Sequence, residues 1–148
     1  MCPRELQIRK IERMADDVWN KTIIDAFNHE IEVLDLCGYG DVFLDKDLFK
    51  KLEYAKLLNP NFHIYVSTTG VTMTPNKFEH ILNYIDTLKF SIYGTTKDIY
   101  EQMMSGCNFN KSISNILQYL DFQSDSQRKA YTVANFIVMD ENAHQMQE

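Results

Sequence analysis

The sequence predicts an α/β protein in which strands and helices alternate around a parallel sheet. Four short segments are rich in β-branched and aromatic residues, and each is followed by a glycine or a polar break. Apolar residues recur at helical spacing between them. The units follow one another every ~25–40 residues, the length that right-handed crossovers between parallel strands require. The predicted strands are Ile31–Cys37, Phe62–Ser67, Thr87–Ile92 and Tyr131–Met139.

Two helices are predicted around the first strand. The segment Asp16–Asn28 begins with acidic residues, Asp16 and Asp17, which favour the positive end of a helix dipole. The segment Asp47–Leu58 follows the first strand. It places three apolar side chains on one helical face, namely Leu48, Leu52 and Ala55.

Two further helices follow the second and third strands. Thr74 is a plausible N-cap, and Pro75 stands at the first helical position. The apolar residues behind them fall at i, i+3, i+4 and i+7, and are Phe78, Ile81, Leu82 and Ile85. The segment Lys111–Phe122 repeats this spacing with Ile113, Ile116, Leu117 and Leu120.

Length and charge exclude several classes of protein. The 148 residues suit one domain spanning 1–148, and 15 Lys and Arg against 21 Asp and Glu leave a net charge of −6. Without a cluster of basic residues, this balance argues against nucleic acid or a membrane as partner. No apolar run approaches the roughly 18 residues of a membrane span, and the N-terminus lacks the apolar core of a secretory signal. We therefore expect a cytoplasmic protein.

The first candidate site follows the first strand, because the chemistry of parallel α/β sheets lies at the carboxyl ends of the strands. There, Gly38 and Gly40 allow the backbone to approach a ligand closely, and Asp41 offers a carboxylate. A tight strand-to-helix turn is the alternative explanation. A dinucleotide-binding loop is excluded, because the third glycine and the immediate helix are missing.

The next two strands also end in hydroxyl groups and glycines. Ser67-Thr-Thr-Gly70 and Phe90-Ser-Ile-Tyr-Gly94 both suit hydrogen bonding to a polar ligand such as a ribose. Capped turns would explain either segment alone, since Ser and Thr often bond nearby backbone. Three such strand ends in succession favour a binding site.

In order along the chain, these segments resemble the core domain of radical SAM enzymes. Cys2-Pro-Arg4 resembles the end of the C-x3-C-x2-C cluster loop, and Gly38–Leu44 resembles the G-G-E-P strand end. Ser67–Gly70 resembles S-T-N-G, and Phe90–Gly94 resembles i-S-i-d-G. Two later stretches, Tyr100–Ile116 and Met139–Asn142, also match the pattern of the family. The ordered set covers almost the whole chain.

The resemblance implies a 4Fe–4S cluster that cleaves S-adenosylmethionine to a 5′-deoxyadenosyl radical, with an electron donor such as flavodoxin or ferredoxin. By position, Cys2 is the third cluster ligand. Gly38, Tyr39, Gly40 and Asp41 would bind the cofactor, bordering its methionine amino group mainly through backbone. The hydroxyl side chains near its ribose and carboxylate would be Ser67, Thr68 and Ser91.

The sequence departs from the family pattern at several positions. Asp41 and Val42 replace Glu and Pro, Thr69 replaces Asn, and Met104 stands where Arg is common. Two of the three cluster cysteines are missing, and Cys37 and Cys107 lie in the wrong places to replace them. The resemblance therefore implies a partial parallel (β/α) barrel, incomplete at both ends. Such a fragment is not expected to assemble the cluster or to be active by itself.

Two other functions stay open at this point. The chain could be a non-catalytic or decayed scaffold that has kept the parallel sheet, or an unrelated α/β nucleotide-binding domain, because fold analogy does not license function. The substrate cannot be identified from these motifs. Similarity of Cys2-Pro-Arg4 to members that modify peptides favours a peptide.

Overall fold

A computed structural model describes residues 8, 12–38 and 40–147 of the chain. In this part, helices and strands alternate from the first helix to the last strand, apart from two consecutive helices after β3. The helices are α1 (Asp16–Asn28), α2 (Leu48–Leu58), α3 (Phe78–Tyr84), α4 (Lys97–Met103) and α5 (Phe109–Ser124). The strands are β1 (Val33–Leu36), β2 (His63–Thr68), β3 (Thr87–Ser91) and β4 (Tyr131–Asn135). Short 3-10 turns cover Val42–Leu44, Pro75–Lys77 and Ala143–Gln147.

The four strands form one parallel sheet in the order β1-β2-β3-β4, as the alternation predicts. Every strand therefore lies beside the strands that precede and follow it in the chain. Their carboxyl ends share one edge of the sheet, which brings the three candidate loops to that edge. The α/β fold class is confirmed, and the open sheet is consistent with a partial barrel.

One face of the sheet is covered by the helices. Ile64 and Val66 of β2 and Leu88 and Phe90 of β3 are at most 3% exposed. They share a single hydrophobic core with apolar residues of α1, α2, α3 and α5. Burial of these side chains from water is the main stabilising contribution to the fold.

The other face of the sheet, called the open face below, carries the alternate residues of the strands. Side chains at successive strand positions point to opposite faces, and parallel register aligns those of neighbouring strands. Ser67 of β2 is thus aligned with Lys89 of β3 and Val133 of β4, and all three are half-buried. Protein layers cover both faces of most parallel sheets. The polar residues of the strands on the open face are Asp35, His63, Tyr65, Ser67, Thr87, Lys89, Ser91, Tyr131 and Asn135.

Most of the predicted helices match the structure closely. The bounds of α1 are as predicted, and α2 begins one residue later. Thr74 precedes a 3-10 turn, Pro75–Lys77, which begins with Pro75 and leads directly into α3; the side chain of Thr74 makes no capping hydrogen bond. The short helix α4 was not predicted, because its seven residues are too few for a clear apolar period.

Two details of the predicted pattern are wrong. Leu117 is 55% exposed, because the inner face of α5 also carries polar residues, among them Ser112 and Asn115, that bond to neighbouring segments. The last strand ends at Asn135 instead of Met139. Beyond it, the side chain of Asn142 binds backbone groups of Ile137 and Met139, so this segment turns away from the sheet.

Within the described ranges, no helix is both long and apolar enough to cross a lipid bilayer.

Candidate functional site

Asp41 joins the loops that follow β1 and β2. Its Oδ2 accepts hydrogen bonds from Thr68 Oγ1 at 2.8 Å and from both the amide and the hydroxyl of Thr69, at 3.2 and 3.0 Å. Its Oδ1 accepts from Thr72 Oγ1 at 2.8 Å and from the amide of Phe43 at 3.1 Å. Five donors satisfy the two carboxylate oxygens, whose capacity is about four lone pairs. The side chain of Asp41 thus holds the two loops together.

Lys77 connects the same two loops through a second set of hydrogen bonds. Its Nζ donates to the carbonyl oxygens of Phe43 at 2.9 Å and Thr72 at 2.6 Å, and lies 5.7 Å from the ring centre of Phe43. Burial lowers the pKa of this ammonium below its usual value, while the charge of Asp41 acts in the opposite direction. Sequence reasoning missed Lys77, since an exposed-looking lysine in a 3-10 turn gives no signal of such contacts.

The glycines after β1 border open space. A Cβ atom at Gly38 or Gly40 would have no neighbour within 4 Å, and Gly40 has a φ of +109°, which favours glycine. Gly70 differs, because a Cβ there would lie 2.8 Å from Ile116 Cγ1. Gly38 and Gly40 therefore leave room for a ligand, whereas Gly70 allows α5 to pack closely. Tyr39 lies outside the described residues.

A cleft of about 760 Å³ opens beside these glycines. The segment 12–16 forms one wall, and the loop 37–44 with the start of α2 forms another. This volume is within the range of small-molecule sites. The cleft is therefore large enough for a ligand next to the carboxyl end of β1.

Charged groups connect the two walls of this cleft. Lys51, which is 6% exposed, donates to Asp45 Oδ2 at 2.7 Å and to the carbonyl of Met14 at 2.8 Å. Arg13 bonds to Asp45 at 3.2 Å and to Asp47 at 3.1 Å. Burial raises the pKa of Asp45, but hydrogen bonds from Lys51 and the Asp47 amide, with the Lys51 charge, outweigh it and leave the pKa below the usual value. These ion pairs and hydrogen bonds hold segment 12–16 against the start of α2.

The three hydroxyl residues of the predicted site lie on different faces of the sheet. Thr68 is on the helix-covered side, 3% exposed, and donates to Asp41. Ser67 and Ser91 lie on the open face. The Oγ of Ser67 is buried and has no hydrogen-bond partner within the described part of the chain. A buried hydroxyl without a partner costs about 1–3 kcal/mol, so a ligand group that bonded to Ser67 would recover this cost.

The two described cysteines do not form a set of metal ligands. Cys37 is exposed at the end of β1, and Cys107 is half-buried after α4. Burial raises the pKa of Cys107, against a hydrogen bond with Thr69. Cys2, the predicted cluster ligand, lies outside the described residues. Among those that are described, no three His, Cys, Asp or Glu side chains lie close enough to hold a metal ion. These residues alone do not fit a 4Fe–4S cluster.

Two buried amides hold the loop that follows β3. Asn142, which is fully buried, donates to the carbonyl oxygens of Tyr93 at 3.0 Å and Ile137 at 2.8 Å, and accepts from the amide of Met139 at 2.7 Å. Gln145 accepts from the Thr95 amide and donates to the Thr96 hydroxyl, both at 2.8 Å. The third candidate loop is thus fixed from the segment after β4.

Comparison with known proteins gives a likeness of fold. No family model and no curated protein match the chain. A solved structure, that of BtrN in complex with AdoMet and 2-DOIA, is similar with a TM-score of 0.56 and 14% sequence identity. The match covers 90% of this chain and 50% of BtrN, so the chain spans about half the length of that protein.

Proposed function

We propose that this chain is part of a radical SAM enzyme and binds S-adenosylmethionine at the carboxyl edge of its sheet. The observation that carries the proposal is the fold likeness to a protein solved with AdoMet, which is the ligand that the motifs of the sequence imply. The motif-bearing segments at the ends of β1, β2 and β3 lie along this one edge of the sheet. Ligands of open α/β sheets bind there.

The residues of the edge would have different roles. Gly38 and Gly40 would let the backbone approach the methionine moiety, because a Cβ atom at either position would have no neighbour within 4 Å among the described residues. Ser67 and Ser91 would offer hydroxyl groups to the ribose and carboxylate. Asp41 and Thr68 bond to each other, so we expect them to shape the loop and to leave direct contacts with the ligand to the backbone.

A 4Fe–4S cluster, when bound, would supply the electron that cleaves S-adenosylmethionine and starts radical chemistry on a second substrate. Cys2 would be one of its ligands, and this sequence does not hold the other two cysteines of the C-x3-C-x2-C loop. Flavodoxin or ferredoxin would deliver the electron. Without the other cysteines, the chain by itself would be inactive.

Binding of S-adenosylmethionine to the chain, measured by isothermal titration calorimetry, tests the proposed cofactor site. Iron content after anaerobic reconstitution of a protein that holds all three cluster cysteines tests the assignment to a radical SAM enzyme against a nucleotide-binding scaffold. The Gly38→Val variant places a branched side chain into open space at a residue without positive φ, so it should fold normally and yet block the ligand. The matched control is Ser105→Val in the exposed turn after α4. We expect binding to the wild type and to the control, and at least tenfold weaker binding to Gly38→Val. Absence of binding to the wild type, or equal binding to all three, would overturn the proposal.

A further inference from the structure

Lys89 lies in the middle of β3 with its side chain on the open face. Register aligns it with Ser67 on one side and Val133 on the other. It is half-buried, unlike the exposed lysines on the helices, such as Lys21 and Lys50. Its position in the sheet thus leaves Lys89 less exposed than those helix lysines.

The charge of Lys89 has no acidic partner in the described part of the chain. The ion pairs found there use other cations, namely Arg13, Lys50, Lys51 and Lys56. Asp35 is the acidic residue on the strands, but it is exposed and lies two strands away. The ammonium of Lys89 instead lies 5.4 Å from the ring centre of Tyr65. A partly buried cation on an aromatic ring, without an anion, is suited to bind one.

The surroundings of Lys89 supply neutral hydrogen-bonding groups. Ser67, its neighbour in register, has a buried hydroxyl without a partner among the described residues. The hydroxyl of Tyr93 contacts Ser91 Oγ and Asn135 Nδ2 only at 3.5 Å, the long limit of a hydrogen bond. These groups retain hydrogen-bonding capacity for a polar ligand. A sheet face that served only to pack against protein would be apolar.

Lys89 lies at the level of Ser67 and deeper than Ser91, so it borders the proposed S-adenosylmethionine site from below. It precedes Ser91 by two residues, which is about 6.6 Å along a strand and away from the carboxyl edge. S-adenosylmethionine carries a sulfonium, an ammonium and a carboxylate, and so a net positive charge. With the cofactor at the edge and Lys89 below it, the open face would hold two positive charges that an anionic co-substrate would offset.

We propose that the open face of the sheet binds a small-molecule substrate through a carboxylate or phosphate group paired with Lys89, next to the cofactor. This inference rests on the proposed function for the identity of the cofactor, but the anion site itself is testable without it. Tyr65 would contact the body of the substrate beside the anionic group.

Side-chain NMR of the lysine Hε and Cε groups, in uniformly ¹³C-labelled protein, reports on each ammonium separately. The probe is inorganic phosphate, added at constant ionic strength with chloride as the reference salt, with and without saturating S-adenosylmethionine. We expect the Lys89 signal to move saturably with phosphate and the other lysines to move little. Phosphate should bind about fivefold more tightly when the cofactor is present, a usual magnitude for coupled sites.

Three variants make the test specific. Lys89→Gln should weaken phosphate binding, followed on the amide signals of β2 and β3, at least tenfold, because it removes a charge-assisted hydrogen bond. Lys89→Arg should retain binding, and Lys21→Gln, on the exposed surface of α1, is the matched control. Equal thermal stability of the variants shows that the fold is intact. If Lys89→Gln does not fold, the wild-type titration and the Lys89→Arg variant still test whether the anion binds at Lys89.

The outcomes distinguish this inference from the proposed function. Equal, unsaturable shifts of all lysines would overturn the anion site. A Lys89 signal that moves with S-adenosylmethionine alone and not with phosphate would also overturn it, since Lys89 would then bind the cofactor carboxylate. Saturable phosphate binding at Lys89 without any binding of S-adenosylmethionine would support the anion site and overturn the proposed function.

Discussion

The hydroxyl of Thr68, the last residue of β2, donates to the carboxylate of Asp41, in the loop after β1, at 2.8 Å across 27 positions of sequence. Thr69 and Thr72 donate to the same carboxylate. The acidic residue at the end of β1 is thus the acceptor at the centre of two loops. The role of Asp41 is therefore structural, because it holds the two loops at the edge of the sheet where we propose that the ligand binds.

Replacing Asp41 by Asn should destabilise the protein by about 2–3 kcal/mol. The amide would place a donor opposite the backbone N–H of Thr69 or of Phe43, neither of which can accept as the threonine hydroxyls can. At least one partly buried hydrogen bond would be lost, and the others would lose the carboxylate charge that strengthens them. Urea unfolding measures the free energy. Asp140→Asn, in an exposed turn, is the control and should change it by less than 0.5 kcal/mol. A loss below 0.5 kcal/mol for Asp41→Asn would contradict the role given to this carboxylate.

The order of elements and the parallel sheet could be predicted from the sequence, because apolar periodicity and β-branched runs are local signals. The role of Asp41 could not, because four of its five donors lie 27 to 31 positions away. The same holds for Lys77, whose acceptors are carbonyl groups of two loops. No side-chain pattern marks a carbonyl as an acceptor for a distant lysine.

Lys89 could have been found from the sequence. It alternates with Ser91 along β3, and the period of two places both on the same face. The motif identifies Ser91, and the alternation along the strand extends the same face to Lys89. Leu117 shows the opposite error. Its apolar character predicts a buried side chain, but Ser112 and Asn115 occupy the inner face of α5 and bond to neighbouring segments, and Leu117 is exposed.

The stability of the protein should fall with rising pH above about 10, in part because of Tyr119. Burial raises the pKa of this fully buried phenol far above its usual value. The unfolded tyrosine ionises near pH 10 while the folded one stays protonated, so the unfolded state gains stability by about 1.4 kcal/mol per pH unit. Below pH 9 this contribution to the free energy of unfolding does not depend on pH.

The Tyr119→Phe variant isolates this effect. At pH 7 it should be about 1 kcal/mol less stable than the wild type, because it loses the hydrogen bond to Gln123 Oε1. Between pH 10 and 11 the difference should shrink or reverse, since the variant cannot ionise at this position. Tyr131→Phe, at a residue that is 70% exposed, is the control. A constant difference between wild type and Tyr119→Phe from pH 7 to 11 would refute the explanation.

The two cysteines in the described ranges should react with iodoacetamide at different rates. Cys37 is exposed, whereas Cys107 is half-buried, and burial raises its pKa, so it forms less of the reactive thiolate at neutral pH. Peptide mass spectrometry after a short exposure should therefore find Cys37 labelled at least tenfold faster. In urea the two rates should become similar. Faster labelling of Cys107 in the folded protein would show that the loop after α4 is more open than described.

Removing the amide of Asn142 should destabilise the loop between β3 and α4, although Asn142 comes 49 residues after Tyr93 in the chain. Asn142→Ala would leave the carbonyl groups of Tyr93 and Ile137 and the amide of Met139 without their partner in a fully buried position. Three lost hydrogen bonds predict a destabilisation of about 2–4 kcal/mol. Hydrogen–deuterium exchange should accelerate in residues 93–96 and 137–142, and remain unchanged in β1 and β2. Asn83→Ala, at an exposed position of α3, is the matched control. If Asn142→Ala unfolds the whole sheet instead, exchange will rise equally in β1 and β2, and the contact will be a requirement of the fold as a whole.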